Sequence, residues 1–120
     1  MKSESILIVD DSYFMRNLLG NTIKELGYAN LFYAEDGNQA IEIAREVKPR
    51  LVTLDISMPG MDGIETLMKL KEVSPKSKIV MISAVNSQGI VKQALKNGAA
   101  DFIKKPVDKM ELDGMLKKHL

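Results

Sequence analysis

Short runs of almost wholly apolar residues alternate along this chain with longer segments whose apolar residues return every third or fourth position. Few architectures accept that pattern. The runs are Ile6–Val9, Leu31–Ala34, Leu51–Leu54, Ile79–Ile82 and Phe102–Ile103. Between the first two, Met15, Leu18, Leu19, Thr22, Ile23 and Leu26 share a helical face, and Gly27 stands where a left-handed residue closes a helix. Ala40, Ile43, Ala44 and Val47 repeat the spacing after the Asp36-Gly37 turn, and Pro49 stops it. After the third run Ile64, Leu67 and Met68 point inward from a helix closed by Ser74-Pro75. After the fourth, Ile90, Val91, Ala94 and Leu95 form one ended by Asn97-Gly98. Asp108, with Glu111 three residues on, caps a last helix that turns Leu112, Met115 and Leu116 inward. Strand and helix in strict alternation build βαβ units and a parallel sheet.

The first, third and fourth runs are apolar almost throughout, as strands covered on both faces must be, while the second and fifth are shorter or more mixed. That places the second and fifth at the edges. The prediction is an α/β fold: a five-stranded parallel sheet in the order 2-1-3-4-5, with right-handed crossovers leaving helices on both faces. A chain of 120 residues, 45% hydrophobic, suits a single domain over 1–120. Its formal charge of +1 offers no bulk attraction for nucleic acid or membrane. Without cysteine it has no disulfide framework, thiolate chemistry or zinc–thiolate site. No apolar run approaches the roughly 20 residues that span a bilayer, and Met1-Lys2-Ser3-Glu4 leads into no signal-peptide core. The expectation is a soluble, cytoplasmic protein with no membrane insertion and no direct nucleic-acid contact.

In a sheet of this kind the carboxyl ends of the strands share one edge, and ligands bind there, where the strand order reverses. The reversal predicted here lies between the first and third strands. Asp10 and Asp11 follow the first, Asp55 the third, Ser83 the fourth and Lys105 the fifth. Magnesium is held by one or two carboxylates together with waters and phosphate oxygens, and three carboxylates crowded without a cation repel one another. A carboxylate can also attack phosphorus to give an acyl phosphate. Asp55 is best placed for this, because the loop Met58-Pro59-Gly60-Met61-Asp62-Gly63 follows it. Phosphoryl transfer needs mainly positioning and charge neutralisation; Lys105 can supply charge and Ser83 a hydrogen bond. Taken singly, each residue has a plainer reading: aspartates cap helices, Asp55 could belong to a turn, Ser83 could end a strand, and Lys105 could face solvent.

At these residues the sequence resembles the receiver domain of two-component response regulators. The likeness runs from about Ser5 to Leu120 and rests on Ile8-Val9-Asp10-Asp11-Ser12, on the segment from Leu54 to Gly63, on Ser83-Ala84 and on Lys105-Pro106. It implies the flavodoxin-like order already known for CheY. It also implies that Asp55 accepts a phosphoryl group from a phosphohistidine, with Ser83 and Lys105 as the other catalytic residues on its oxygens. Mg2+ would be held by Asp10, Asp11, Asp55 and the Ser57 backbone carbonyl, and Lys105-Pro106 would be a cis peptide. The stretch Asp11-Ser12-Tyr13-Phe14-Met15-Arg16, with no appended output domain, is most similar to single-domain chemotaxis regulators of the CheY type. On that likeness the chain is a stand-alone phosphoprotein and no enzyme, promoting only its own phosphorylation and dephosphorylation. The donor would be a histidine kinase or phosphotransfer protein, because the only histidine, His119, is read as solvated at the chain's end.

The resemblance implies a switch in which Ser83 is drawn to the phosphate and Phe102, at the family's aromatic position, turns inward. The altered surface would comprise the fourth helix, fifth strand and fifth helix, where Lys92, Lys96, Phe102, Lys104 and Lys109 suit an acidic amphipathic peptide of a downstream target. Other readings stand beside this one: a receiver of another pathway, a receiver cut from a DNA-binding regulator, and a pseudo-receiver acting by contacts alone. A phosphatase of the haloacid dehalogenase type wants an aspartate where Ser57 stands, and a flavin or nucleotide binder wants a glycine-rich loop after the first strand.

Overall fold

The structure, a computed structural model, describes residues 3–56, 62–84 and 88–120. Its elements alternate as β1 (Ile6–Val9), α1 (Tyr13–Glu25), β2 (Leu31–Ala34), α2 (Gly37–Val47), β3 (Leu51–Leu54), α3 (Gly63–Val73), β4 (Lys78–Ser83), α4 (Gln88–Lys96), β5 (Asp101–Lys104) and α5 (Lys109–His119). The strands form one parallel sheet in the order β2-β1-β3-β4-β5, as the apolar pattern predicts.

Side chains of each strand point alternately to the two faces, so the central strands feed two cores. Leu7, Val9, Val52, Leu54, Ile79 and Met81 meet Ala40, Ile41 and Ala44 of α2, Leu67 and Leu70 of α3 and Ala94 of α4. Ile6, Ile8, Leu51, Val80, Ile82 and Ile103 meet Leu19 and Ile23 of α1 and Leu112, Met115 and Leu116 of α5. Each fully buried aliphatic side chain contributes about 1.5–3 kcal/mol.

Helix starts follow their caps. Ser12 Oγ accepts from the Met15 N–H at 3.2 Å, Asp36 Oδ1 from Gln39 at 2.8 Å, Asp62 Oδ1 from Glu65 at 2.8 Å and Asp108 Oδ1 from Glu111 at 2.7 Å. Each is worth about 1 kcal/mol. Gly27 closes α1 at φ +103° and Gly98 follows α4 at +104°, the left-handed region that glycine enters without strain.

Four side chains depart from expectation. Leu18, Met68 and Leu95 are exposed rather than inward, and Ile41 and Leu70 take core places instead. A flanking leucine or methionine fits a three-four spacing as well as its neighbour does; only the helix's rotation on the sheet decides. His119 is not solvated: its side chain is 7% exposed, with Nε2 3.1 Å from Asp101 Oδ2. The last turn of α5 folds it back onto the start of β5. Burial raises the Asp101 pKa. The His119 hydrogen bond, the Phe102 backbone N–H and the charges of Lys118 and His119 outweigh that effect and hold it below the ordinary value. Met58 and Met61 lie outside the described residues. Among the described residues no helix is long and apolar enough to cross a membrane.

Candidate functional site

β1 and β3 are neighbours in mid-sheet with Val9 opposite Leu54, so Asp10 and Asp55 leave the sheet level with each other. Backbone bonding continues one step past the strands: the Asp55 N–H donates to Val9 O at 3.1 Å and the Asp10 N–H to Ala34 O at 3.2 Å. Asp10 and Asp55 are buried, 1% and 6% exposed, while Asp11 is open to solvent. One carboxylate oxygen from each of the three lies within 4.8 Å of the others.

Beyond β4, β5 delivers the counter-charge. The Lys105 N–H donates to Ser83 O at 2.9 Å, and its Nζ stands 2.8 Å from Asp10 Oδ2 and 3.6 Å from Asp55 Oδ2. Ser83 is the last residue of β4 and is buried. The Lys105-Pro106 peptide is cis. Phe102 is partly buried against the core that holds Met81 and Ala94. The structure thus gathers Asp10, Asp11, Asp55, Ser83 and Lys105 along one sheet edge, with Phe102 on the adjoining strand. Ser57 lies outside the described residues.

One ammonium against three carboxylates leaves two formal negative charges, the complement of a divalent cation. The donors are all oxygen, which suits a hard cation such as magnesium and not a thiophilic one. Asp10 is already committed: Oδ1 accepts the Ser12 N–H at 2.9 Å and Oδ2 takes Lys105. Asp11 makes no side-chain hydrogen bond among the described residues, which leaves its oxygens open to a cation.

Three residues around this site went unread in the sequence. Arg16 Nη1 donates to the Asp10 carbonyl at 2.7 Å; the available signal was a cation near the amino end of a helix, where the dipole disfavours it. Gly63 lies so close beneath the Asp55–Ile56 segment that a Cβ there would stand 2.3 Å from Ile56 Cα and 2.9 Å from Asp55 O. The Asp62-Gly63 pair signals a turn and says nothing of that approach. Thr53, two residues before Asp55, buries a hydroxyl that has no hydrogen-bond partner among the described residues.

Comparison with known proteins identifies the family. A family model described as the response regulator receiver domain matches residues 6–117. Chemotaxis protein CheY of Listeria monocytogenes is 46% identical over 101 residues, covering 84% of this chain and 85% of its own. Sporulation initiation phosphotransferase F of Bacillus subtilis is 37% identical over 120 residues, 100% of this chain and 96% of its own. A chain of the CheX–CheY–BeF3–Mg complex from Borrelia burgdorferi superposes with a TM-score of 0.91 at 34% identity, covering 96% of this chain and 87% of that one. The likeness runs from the first strand to the last helix, and the chain belongs to the response regulator receiver domain family of two-component systems.

Proposed function

We propose that this chain is a phosphorylation switch of the CheY type, in which Asp55 accepts a phosphoryl group from a histidine kinase or phosphotransfer protein. The observation that carries the reading is the reach of Lys105 Nζ to Asp10 and Asp55 together, inside a cluster of three carboxylates. An Asp55 oxygen attacks phosphorus as the P–N bond to the donor imidazole breaks. The electron pair leaves with the ring nitrogen, and the product is an acyl phosphate. Lys105 would move its ammonium from the carboxylates to the oxygens of the transferring group, and Ser83 would hydrogen-bond one of them. Bound by Asp10, Asp11, Asp55 and the Ser57 carbonyl, Mg2+ would neutralise charge on those oxygens. The magnesium and beryllofluoride named with the Borrelia CheY complex support that assignment. The chain turns over no external product; it promotes its own phosphorylation and dephosphorylation.

The output surface is α4, β5 and α5. Phosphorylation biases Ser83 and Phe102 toward an arrangement that a downstream target prefers, a population shift of a few kcal/mol. Lys92, Lys96, Lys104 and Lys109 are exposed there, which fits an acidic target peptide. The identity with the Listeria protein supports a chemotaxis pathway. A second reading, an intermediate that passes its phosphoryl group to another histidine, is supported by the full-length match to the sporulation phosphotransferase.

The test is intact mass after incubation with acetyl phosphate and Mg2+. One phosphoryl adduct is expected in the wild type, none with a chelator and none in Asp55→Asn. No adduct in a protein that still binds Mg2+ overturns the proposal and leaves a pseudo-receiver that works by contacts.

A further inference from the structure

Arg16 sits near the amino end of α1, yet its side chain runs back toward the strand ends and is only 14% exposed. Nη1 donates to the Asp10 carbonyl at 2.7 Å, Nη2 lies 4.0 Å from Glu35 Oε2, and the guanidinium is 5.8 Å from the Tyr13 ring centroid. Beyond it, Glu35 is itself held, its N–H donating to Gln39 Oε1 at 3.1 Å in the first turn of α2. The carbonyl that Arg16 grips belongs to the peptide joining Asp10 to Asp11. A peptide unit is planar, so holding its oxygen restrains the plane that carries the Asp11 N–H and Cα and narrows the directions its side chain can take.

That matters because nothing else described here holds Asp11. Asp10 is fixed through both carboxylate oxygens, whereas Asp11 is exposed and forms no side-chain hydrogen bond among the described residues. From these contacts we infer that Arg16 is a positioning residue for the cation site, aiming the Asp11 carboxylate through the Asp10–Asp11 peptide with Glu35 as its rear anchor. Only a guanidinium presents donors in a fork able to address a carbonyl and a carboxylate at once, and its bond to the carbonyl is charge-assisted. The inference rests on the reading of Asp10, Asp11 and Asp55 as Mg2+ ligands.

The sign of the effect separates this role from plainer ones. A cation merely near the site opposes Mg2+, so its removal would tighten binding. A residue that only anchors α1 would lower the melting temperature and leave Mg2+ affinity alone. A positioning residue, once removed, weakens Mg2+ binding, as loss of an outer-shell partner of a metal ligand commonly does by about 10-fold or more.

The experiment is calorimetric titration of Mg2+ alone into the unphosphorylated full chain, for wild type, Arg16→Met, Arg16→Lys and Glu35→Gln. Arg16→Met is expected to raise Kd about 10-fold. Arg16→Lys, which keeps the charge and loses the fork, should raise it at least as much, and Glu35→Gln less. In parallel, the Mg2+ concentration for half-maximal acetyl phosphate labelling should rise while the plateau rate holds. If Arg16→Met melts below the titration temperature, Arg16→Lys carries the comparison. Unchanged or tighter Mg2+ binding in both Arg16 variants overturns the inference alone. A wild type that takes up no Mg2+ overturns it together with the metal reading of the site.

Discussion

Lys105 at the end of β5 meets Asp10 at the end of β1 at 2.8 Å, across 95 residues of chain. The same ammonium stands 3.6 Å from Asp55 Oδ2, and one positive charge among three clustered carboxylates leaves two formal negative charges. Mg2+ is therefore expected to stabilise the fold, by about 2.7 kcal/mol at one hundred times its Kd. Asp11→Asn should gain about 0.5 kcal/mol without metal, the scale of one exposed charge interaction, and should lose most of the response to Mg2+. Urea unfolding with Mg2+ and with chelator measures both. An Asp11→Asn protein that responds to Mg2+ like the wild type would remove Asp11 from the ligand set.

Gly63 opens α3 directly beneath the Asp55–Ile56 segment, its N–H donating to Ile56 O at 2.9 Å. Gly63→Ala forces a methyl group against backbone, which cannot swing aside as a side chain can. A loss of about 1–3 kcal/mol is expected, with slower labelling of Asp55. Gly114, inside α5 with nothing within 4 Å of a built Cβ, is the control; Gly114→Ala should gain up to about 1 kcal/mol. Equal effects from the two changes would show that close approach at Gly63 is not what its position requires.

Thr53 places its hydroxyl in the core between α1, α5 and the sheet, 1% exposed, with no hydrogen bond among the described residues. An unpaired buried hydroxyl costs about 1–3 kcal/mol. Thr53→Val keeps the branched shape and removes the polar atom, so a higher unfolding midpoint is expected, with a gain of about 1 kcal/mol. A lower midpoint would mean the hydroxyl has a partner in solution.

Asp101 joins β5 to the end of α5 through His119 and Lys118 while also accepting the Phe102 N–H at 2.9 Å. Its folded pKa lies below the ordinary aspartate value of 3.8, so the stabilisation it supplies is present above that value and is lost as pH falls through the lower folded value. Asp101→Asn should cost about 1 kcal/mol at neutral pH, and the difference from wild type should shrink as pH drops below 3.8. Denaturation midpoints at neutral and acid pH decide it. A gap that persists unchanged into strong acid would show that charge on Asp101 contributes nothing.

Strand order and the edge that gathers the candidate residues were legible because both follow from period and position. Apolar runs mark buried strands, and residues just past them must share an edge once the strands are parallel. Asp10, Asp11, Asp55, Ser83 and Lys105 were found in that way. What stayed hidden depends on three-dimensional facing. Leu18 and Met68 satisfy helical spacing yet look outward, since spacing does not specify rotation about the helix axis. Arg16 and Gly63 act through backbone atoms of other segments, contacts that leave no pattern of residue types behind. His119 sits one residue from the end, where position suggests solvent, but the half-buried Asp101 on β5 pairs with it.

The acids and the ammonium of the site stand on strands of unequal security. Asp10 and Asp55 leave β1 and β3, each flanked on both sides; Lys105 leaves β5, which has a neighbour on one side only. Amide exchange protection rises from mobile edges to central strands. A transient release of β5 from β4 would carry Lys105 away while leaving both buried aspartates in register, uncovering the acidic cluster without unfolding the domain.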